Sequence, residues 1–136
     1  MSVWPQAPAA LSGRFGALIS ISIDVDARDL ESLLETLARL SFPVNPQIYH
    51  EAVMVYIYPD GHRETEAATL VEFPAYESQL DEVREALDVS GFDPTRLQVT
   101  DMLSEIHSEP PLEPPPAGAK YTGRFRRKFR PAIAAG

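Results

Sequence analysis

The sequence predicts an α+β domain of order βαββαβ, with a four-stranded antiparallel sheet (strand order 4-1-3-2) and two helices on one face. Three observations carry this. Ile19, Ile21 and Ile23 alternate with Ser20, Ser22 and Asp24, the period of a half-buried strand. Leu30, Leu33, Leu34, Leu37 and Leu40 recur directly afterwards at helical spacing. Tyr58-Pro-Asp-Gly61 then separates two strand-like runs, before a second amphipathic helix and a last strand.

In chain order, residues 1–14 are rich in Pro and Ala and read as an arm that Trp4 and Leu11 pin to the body. The first strand covers about 17–25 and is central. Asp26 (or Asp24) is the N-cap candidate of the first helix, and Asp29 and Glu31 suit the positive end of its dipole. Ser41-Phe42-Pro43 ends that helix, because the residue before proline leaves the helical region. The second strand, about 47–58, places Tyr49, Val53, Val55 and Ile57 on one side and Ala52, Met54, Tyr56 and Tyr58 on the other. Both sides are more apolar than a sheet with one solvated face requires. The third strand, 62–73, begins polar and ends apolar. A second helix over 77–89 turns Leu80, Val83 and Leu87 inward, and Gly91 stands where a C-cap belongs. The last strand, 96–103, presents Leu97, Val99 and Leu103. Asp101 interrupts that side, which suits an edge strand or a bulge after which Met102 takes over. The whole is the split-βαβ, or ferredoxin-like, sandwich.

At 136 residues the chain suits one domain with a core large enough to fold without staples. It divides into an N-terminal arm (1–14), the α+β domain (15–109), a Pro-rich linker (110–119) and a basic aromatic tail (120–136). Cysteine is absent, which excludes disulfides, thiolate metal sites and cysteine nucleophiles and fits a reducing compartment. The first residues lack the pattern of a signal peptide, and no apolar run approaches the roughly 20 residues of a spanning helix. A cytoplasmic location is expected.

The net charge of −8 hides an asymmetry. Residues 1–119 hold six arginines against all 20 acidic residues, whereas Lys120, Arg124, Arg126, Arg127, Lys128 and Arg130 follow with no acid among them. An acidic body repels nucleic acid and anionic membrane, and a basic arm attracts them. The arm is expected to lie on the acidic body of its own or a neighbouring subunit. The alternative is a nucleic-acid or membrane contact through 120–130. There Tyr121, Phe125 and Phe129, spaced by four among bases, would form one stripe on a helix or stack on single-stranded bases.

In the expected topology Asp24, Asp26, Arg28, Asp60 and His62 gather at one end of the sheet. Carboxylates with one imidazole suit a small anion or metal site. The plainer alternative gives Asp26 to helix capping and Asp60 to the turn, and leaves His62 exposed; it is the favoured one. His50 and His107 are placed at the opposite end. No metal-ligand spacing, nucleophile elbow, phosphate loop or dinucleotide fingerprint appears, so no catalytic residue, metal ligand or cofactor is assigned. The sheet face turned from the helices is partly apolar and needs a cover. The expected cover is a second copy, in a homodimer or larger assembly, with Leu18, Met54, Tyr56, Tyr121, Phe125 and Phe129 as interface candidates.

The βαββαβ order, the first strand running into a helix at Asp24-Val-Asp-Ala-Arg-Asp29, and the open sheet face resemble ACT-type regulatory domains over roughly residues 15–107. The resemblance implies a regulatory or ligand-sensing role without catalysis. The expected function is a non-enzymatic regulatory, ligand-sensing or scaffolding domain that self-associates. The alternatives are a small enzyme with a site between subunits near Asp24 and His62, or an adaptor working through the basic tail.

Overall fold

A computed structural model describes residues 12–13, 16–102 and 112–128. Its elements are β1 (Gly16–Val25), α1 (Leu30–Ala38), β2 (Gln47–Ile57), β3 (Arg63–Tyr76), α2 (Leu80–Val89), β4 (Leu97–Asp101) and β5 (Gly123–Lys128). The strands form an antiparallel sheet of order β4-β1-β3-β2-β5, and a two-residue strand, Ser12–Gly13, folds onto the start of β1.

Alternation along β1 sends Ile19, Ile21, Ile23 and Val25 to the helix side. There they meet Leu33 and Leu37 of α1, Val83 and Leu87 of α2, and Val71, Phe73 and Ala75 of β3. The leucine stripe of α1 and the wider-spaced one of α2 thus close over one side of the sheet. Two polar ties fix the helix ends. The Ser41 backbone N–H and hydroxyl donate to Glu82 at 2.7 and 2.6 Å, and the buried Thr36 hydroxyl, which donates to the Ser32 carbonyl, shares a hydrogen bond with the Ser90 hydroxyl at 3.0 Å. Gly91 ends α2 with φ +87°, a conformation that suits glycine, and Phe92 N–H closes back on the Leu87 carbonyl at 2.9 Å. At α1 the backbone of Asp26 accepts from Asp29 N–H at 2.8 Å, but the Asp26 side chain makes no capping bond. The favoured assignment of that carboxylate as a cap is therefore corrected. It is exposed and lies 3.9 Å from Arg28.

The four-stranded ferredoxin-like sandwich is also corrected, because the sheet has a fifth strand and curls into a half-barrel. Residues of the basic segment form that strand: β5 pairs with β2 from Ala52↔Lys128 to Ile57↔Gly123. The curl shows in the reach of Arg126, which stands on one edge strand. Its guanidinium donates to the Ser22 carbonyl of β1 at 2.9 Å and to the Arg96 carbonyl beside β4 at 3.0 Å.

A second correction concerns β2. Between Tyr49 and Ala52 the pairing shifts by one residue, a bulge at His50 and Glu51. Tyr49 pairs with Leu70 and Ala52 with Ala68, so both belong to the inner, concave side. Tyr49 therefore joins Met54 and Tyr56, not Val53, Val55 and Ile57. The β2–β3 turn closes as its residues demand, with Gly61 at φ +92° and its N–H on the Tyr58 carbonyl at 2.9 Å. Trp4, Leu11, Leu103, His107 and Phe129 lie outside the described residues.

Candidate functional site

The inner side of the curled sheet is built from alternate residues of four strands. Ser20, Ser22 and Asp24 come from β1, Glu66, Leu70 and Glu72 from β3, Met54 and Tyr56 from β2, and Arg124, Arg126 and Lys128 from β5. Period-two spacing in β5 puts all three bases on this side and Phe125 on the other, beneath Arg63 and Arg127, each 5.7 Å from its ring centre.

Arg126, 5% exposed, is the centre of this layer. Its Nε donates to Glu113 at 2.9 Å, and its two terminal nitrogens reach Ser22, the Arg96 carbonyl and Glu113. Glu113 is itself buried and is bridged to β5 by paired backbone bonds with Arg124. Arg124 adds bonds to Glu113 at 3.2 Å and to the Thr95 carbonyl at 2.7 Å, and Lys128 sits 2.8 Å from Glu72. Such charges are tolerated away from water only when paired and hydrogen-bonded. Among the described residues no buried side-chain nitrogen or oxygen lacks a partner.

At the far end of β1 this polar layer opens into a cleft of about 270 Å³ lined by Asp24, Asp26, His50, Glu66, Thr69 and Arg96, among others. Arg96 stands 3.8 Å from Asp24. Burial pushes the Asp24 carboxyl above its ordinary value, opposed by Arg96, Arg126 and Arg124 and reinforced by Glu66. A larger hollow of about 700 Å³ lies at the other end, among Ser20, Gln47, Tyr49, Glu72 and Lys128. Its two charges are already bound to each other, Lys128 to both oxygens of Glu72.

The residues first gathered around Asp24 are only partly brought together. Asp24 and Asp26 line the cleft, and Arg28 is exposed beside Asp26. His62 is elsewhere. The last β1–β3 pair is Val25↔Thr69, so β3 runs about six residues, roughly 20 Å, past the end of β1. His62 sits at that hairpin tip between Asp60 and Glu64 and stacks on Tyr58 with ring centres 4.5 Å apart. Its pKa is raised by the hydrogen bonds to Asp60 and Glu64. His50, placed at the opposite end by the sequence reading, lines the Asp24 cleft instead. The hairpin overhang puts it there: Val25 ends β1 opposite Thr69, and His50 stands beside that same point on β2. Of the interface candidates, Leu18 is half-buried, Met54 is fully buried in its own chain and Phe125 is on the opposite face from Met54. Tyr56 and Tyr121 pack edge to face with centres 4.9 Å apart.

The raised Asp24 pKa has a signed consequence. The folded state binds its proton more tightly than the unfolded chain, so ionised Asp24 costs stability above its folded pKa. That cost fades as pH falls and is gone below the ordinary value of 3.8. Asp24→Asn is therefore expected to melt above the wild type at pH 7, with the gap closing toward pH 4. Paired thermal melts across that range check this; a pH-independent gap contradicts it.

No family model, curated protein or solved structure matches this chain. No helix among the described residues is long and apolar enough to cross a membrane.

Proposed function

We propose that the protein is a non-enzymatic, ligand-sensing domain that seats a small zwitterion, of the α-amino-acid type, in the cleft at the end of β1. The observation that carries this is the Asp24–Arg96 pair at 3.8 Å. That separation is too long for a hydrogen bond, so both groups retain bonding capacity at the same cleft. A ligand carboxylate suits the planar fork of Arg96, and a ligand ammonium suits Asp24 and Glu66. The regulatory part of the proposal rests on the ACT-type resemblance of residues 15–107, which leaves out β5. Self-association belongs to the same proposal, and its check is sedimentation at tens of micromolar, where a strict monomer removes it.

The ligand reading is tested by thermal shift with amino acids, nucleotides and divalent metal ions in turn. An amino acid is expected to raise Tm, since a ligand at 100 times its Kd stabilises by about 2.7 kcal/mol. Arg96→Ala is expected to abolish the shift. If no amino acid raises Tm, or if Arg96→Ala responds as the wild type does, the reading fails.

A further inference from the structure

The projecting half of the β2–β3 hairpin carries three tyrosine rings that do not line the cleft, although one of them shares Glu66 with it. Tyr56, Tyr58 and Tyr121 stand together there, Tyr121 meeting both others edge to face at 4.9 and 6.4 Å between ring centres. Tyr121 is held in place by its neighbour Thr122, whose N–H and hydroxyl both bind the Ile57 carbonyl, at 2.7 and 3.1 Å. The Tyr56 hydroxyl donates to Glu66 at 2.9 Å and the Tyr58 hydroxyl to Glu64 at 3.0 Å. All three rings are half-buried and so keep exposed surface, while Asp60, Glu64 and Glu66 are exposed. Arg124, on the same side, bonds Glu113 and the Thr95 carbonyl and also reaches the Tyr56 hydroxyl.

We propose that this hairpin end is a docking surface for a basic polypeptide segment of a partner protein, seating a lysine or arginine side chain against the tyrosine rings. Three features select that partner. Aromatic faces attract cations through the ring quadrupole. A phenol that donates its proton to a carboxylate carries a more electron-rich ring, which strengthens that attraction. Asp60 and Glu64 supply the complementary charge; both also bond His62, which stacks on Tyr58, and each retains lone pairs beyond those bonds. The surface also stands clear of the helices, because residues 63–68 of β3 pair with β2 alone. An extended chain therefore has access to it.

The test is titration of the full chain with a short Lys/Arg-rich peptide and with the same peptide carrying glutamine at every basic position. The basic peptide is expected to bind and the glutamine analogue not. Tyr58→Leu, which removes the ring, is expected to weaken binding about tenfold; Tyr58→Phe, which keeps it, by only about threefold. Glu64→Gln alters one exposed carboxylate without touching the packing and is expected to weaken binding by a similar factor of about three. Equal affinity for the two peptides overturns the proposal. So does unchanged affinity in Tyr58→Leu, which would reduce the attraction to bulk charge. Arg96→Ala is expected to bind the peptide as the wild type does, so failure at the amino-acid cleft and failure here are told apart.

Discussion

Arg126→Ala is expected to destabilise the fold by about 3 kcal/mol, the low end of the cost of breaking a buried ion pair, because Glu113 keeps Arg124 at 3.2 Å. The side chain is 4% exposed, and its removal strips Glu113 of its closest cation and frees the Ser22 and Arg96 carbonyls inside the half-barrel. Lysine does not substitute: one compact ammonium cannot serve acceptors spread around a planar fork. The double variant Arg126→Met with Glu113→Leu is expected to recover only part of the loss, because it replaces one ion pair by apolar volume but leaves Arg124 with the Thr95 carbonyl and without its carboxylate. Urea unfolding of the three proteins checks this. A loss under about 1 kcal/mol for Arg126→Ala would show that the network carries little of the fold's stability.

Phe73→Ala is expected to cost at least as much, about 3–5 kcal/mol, through a different mechanism. Phe73 heads the fully buried side chains at 1% exposure, pairs with Ile21 across the sheet and lies in one core with Val83 and Leu87 of α2. Truncation leaves a cavity that a sheet pinned on both faces collapses poorly around. The urea midpoint should fall while the slope of the transition stays unchanged. Val89→Ala on the same helix, at 80% exposure, should change stability by no more than about 0.5 kcal/mol. Equal effects of the two substitutions would contradict the packing described.

What was legible in the sequence was local. Ile19, Ile21 and Ile23 declare a strand because the period is two, and the α1 leucines declare a helix because theirs is near 3.6. Tyr58-Pro-Asp-Gly61 declares a turn because its conformation is chosen within four residues. The corrected features depend on partners far along the chain. Gly123–Lys128 looks like a solvated run, since Arg124, Arg126 and Lys128 are apolar in nothing but their stems. Their burial makes sense only once Glu113 and Glu72 stand opposite. One sign was present: β2 is apolar on both sides, and a strand with two apolar sides has two covers. On the helix side only Ile48 of β2 joins the core under the helices, and on the inner side β5 helps to supply the cover. Of the candidate site, Asp24 and Asp26 were reachable by topology. His50 was not, because the length by which the hairpin outruns β1 decides which residues stand beside Asp24, and Arg96 was counted only as charge.

The placement of β5 also dictates an order of events. β2 is complete, and already paired to β3, long before the chain that flanks its other edge has been made. Until Gly123–Lys128 arrives, the backbone groups of Ala52–Ile57 face outward beside Met54 and Val55, a ready template for a strand of another molecule. Folding that hinges on so distant a pairing is slow by its topology, and the half-made chain is exposed to aggregation for that interval. The arginines of the final strand then act as gatekeepers as much as anchors: they close the vulnerable edge with a segment too charged to stack on copies of itself.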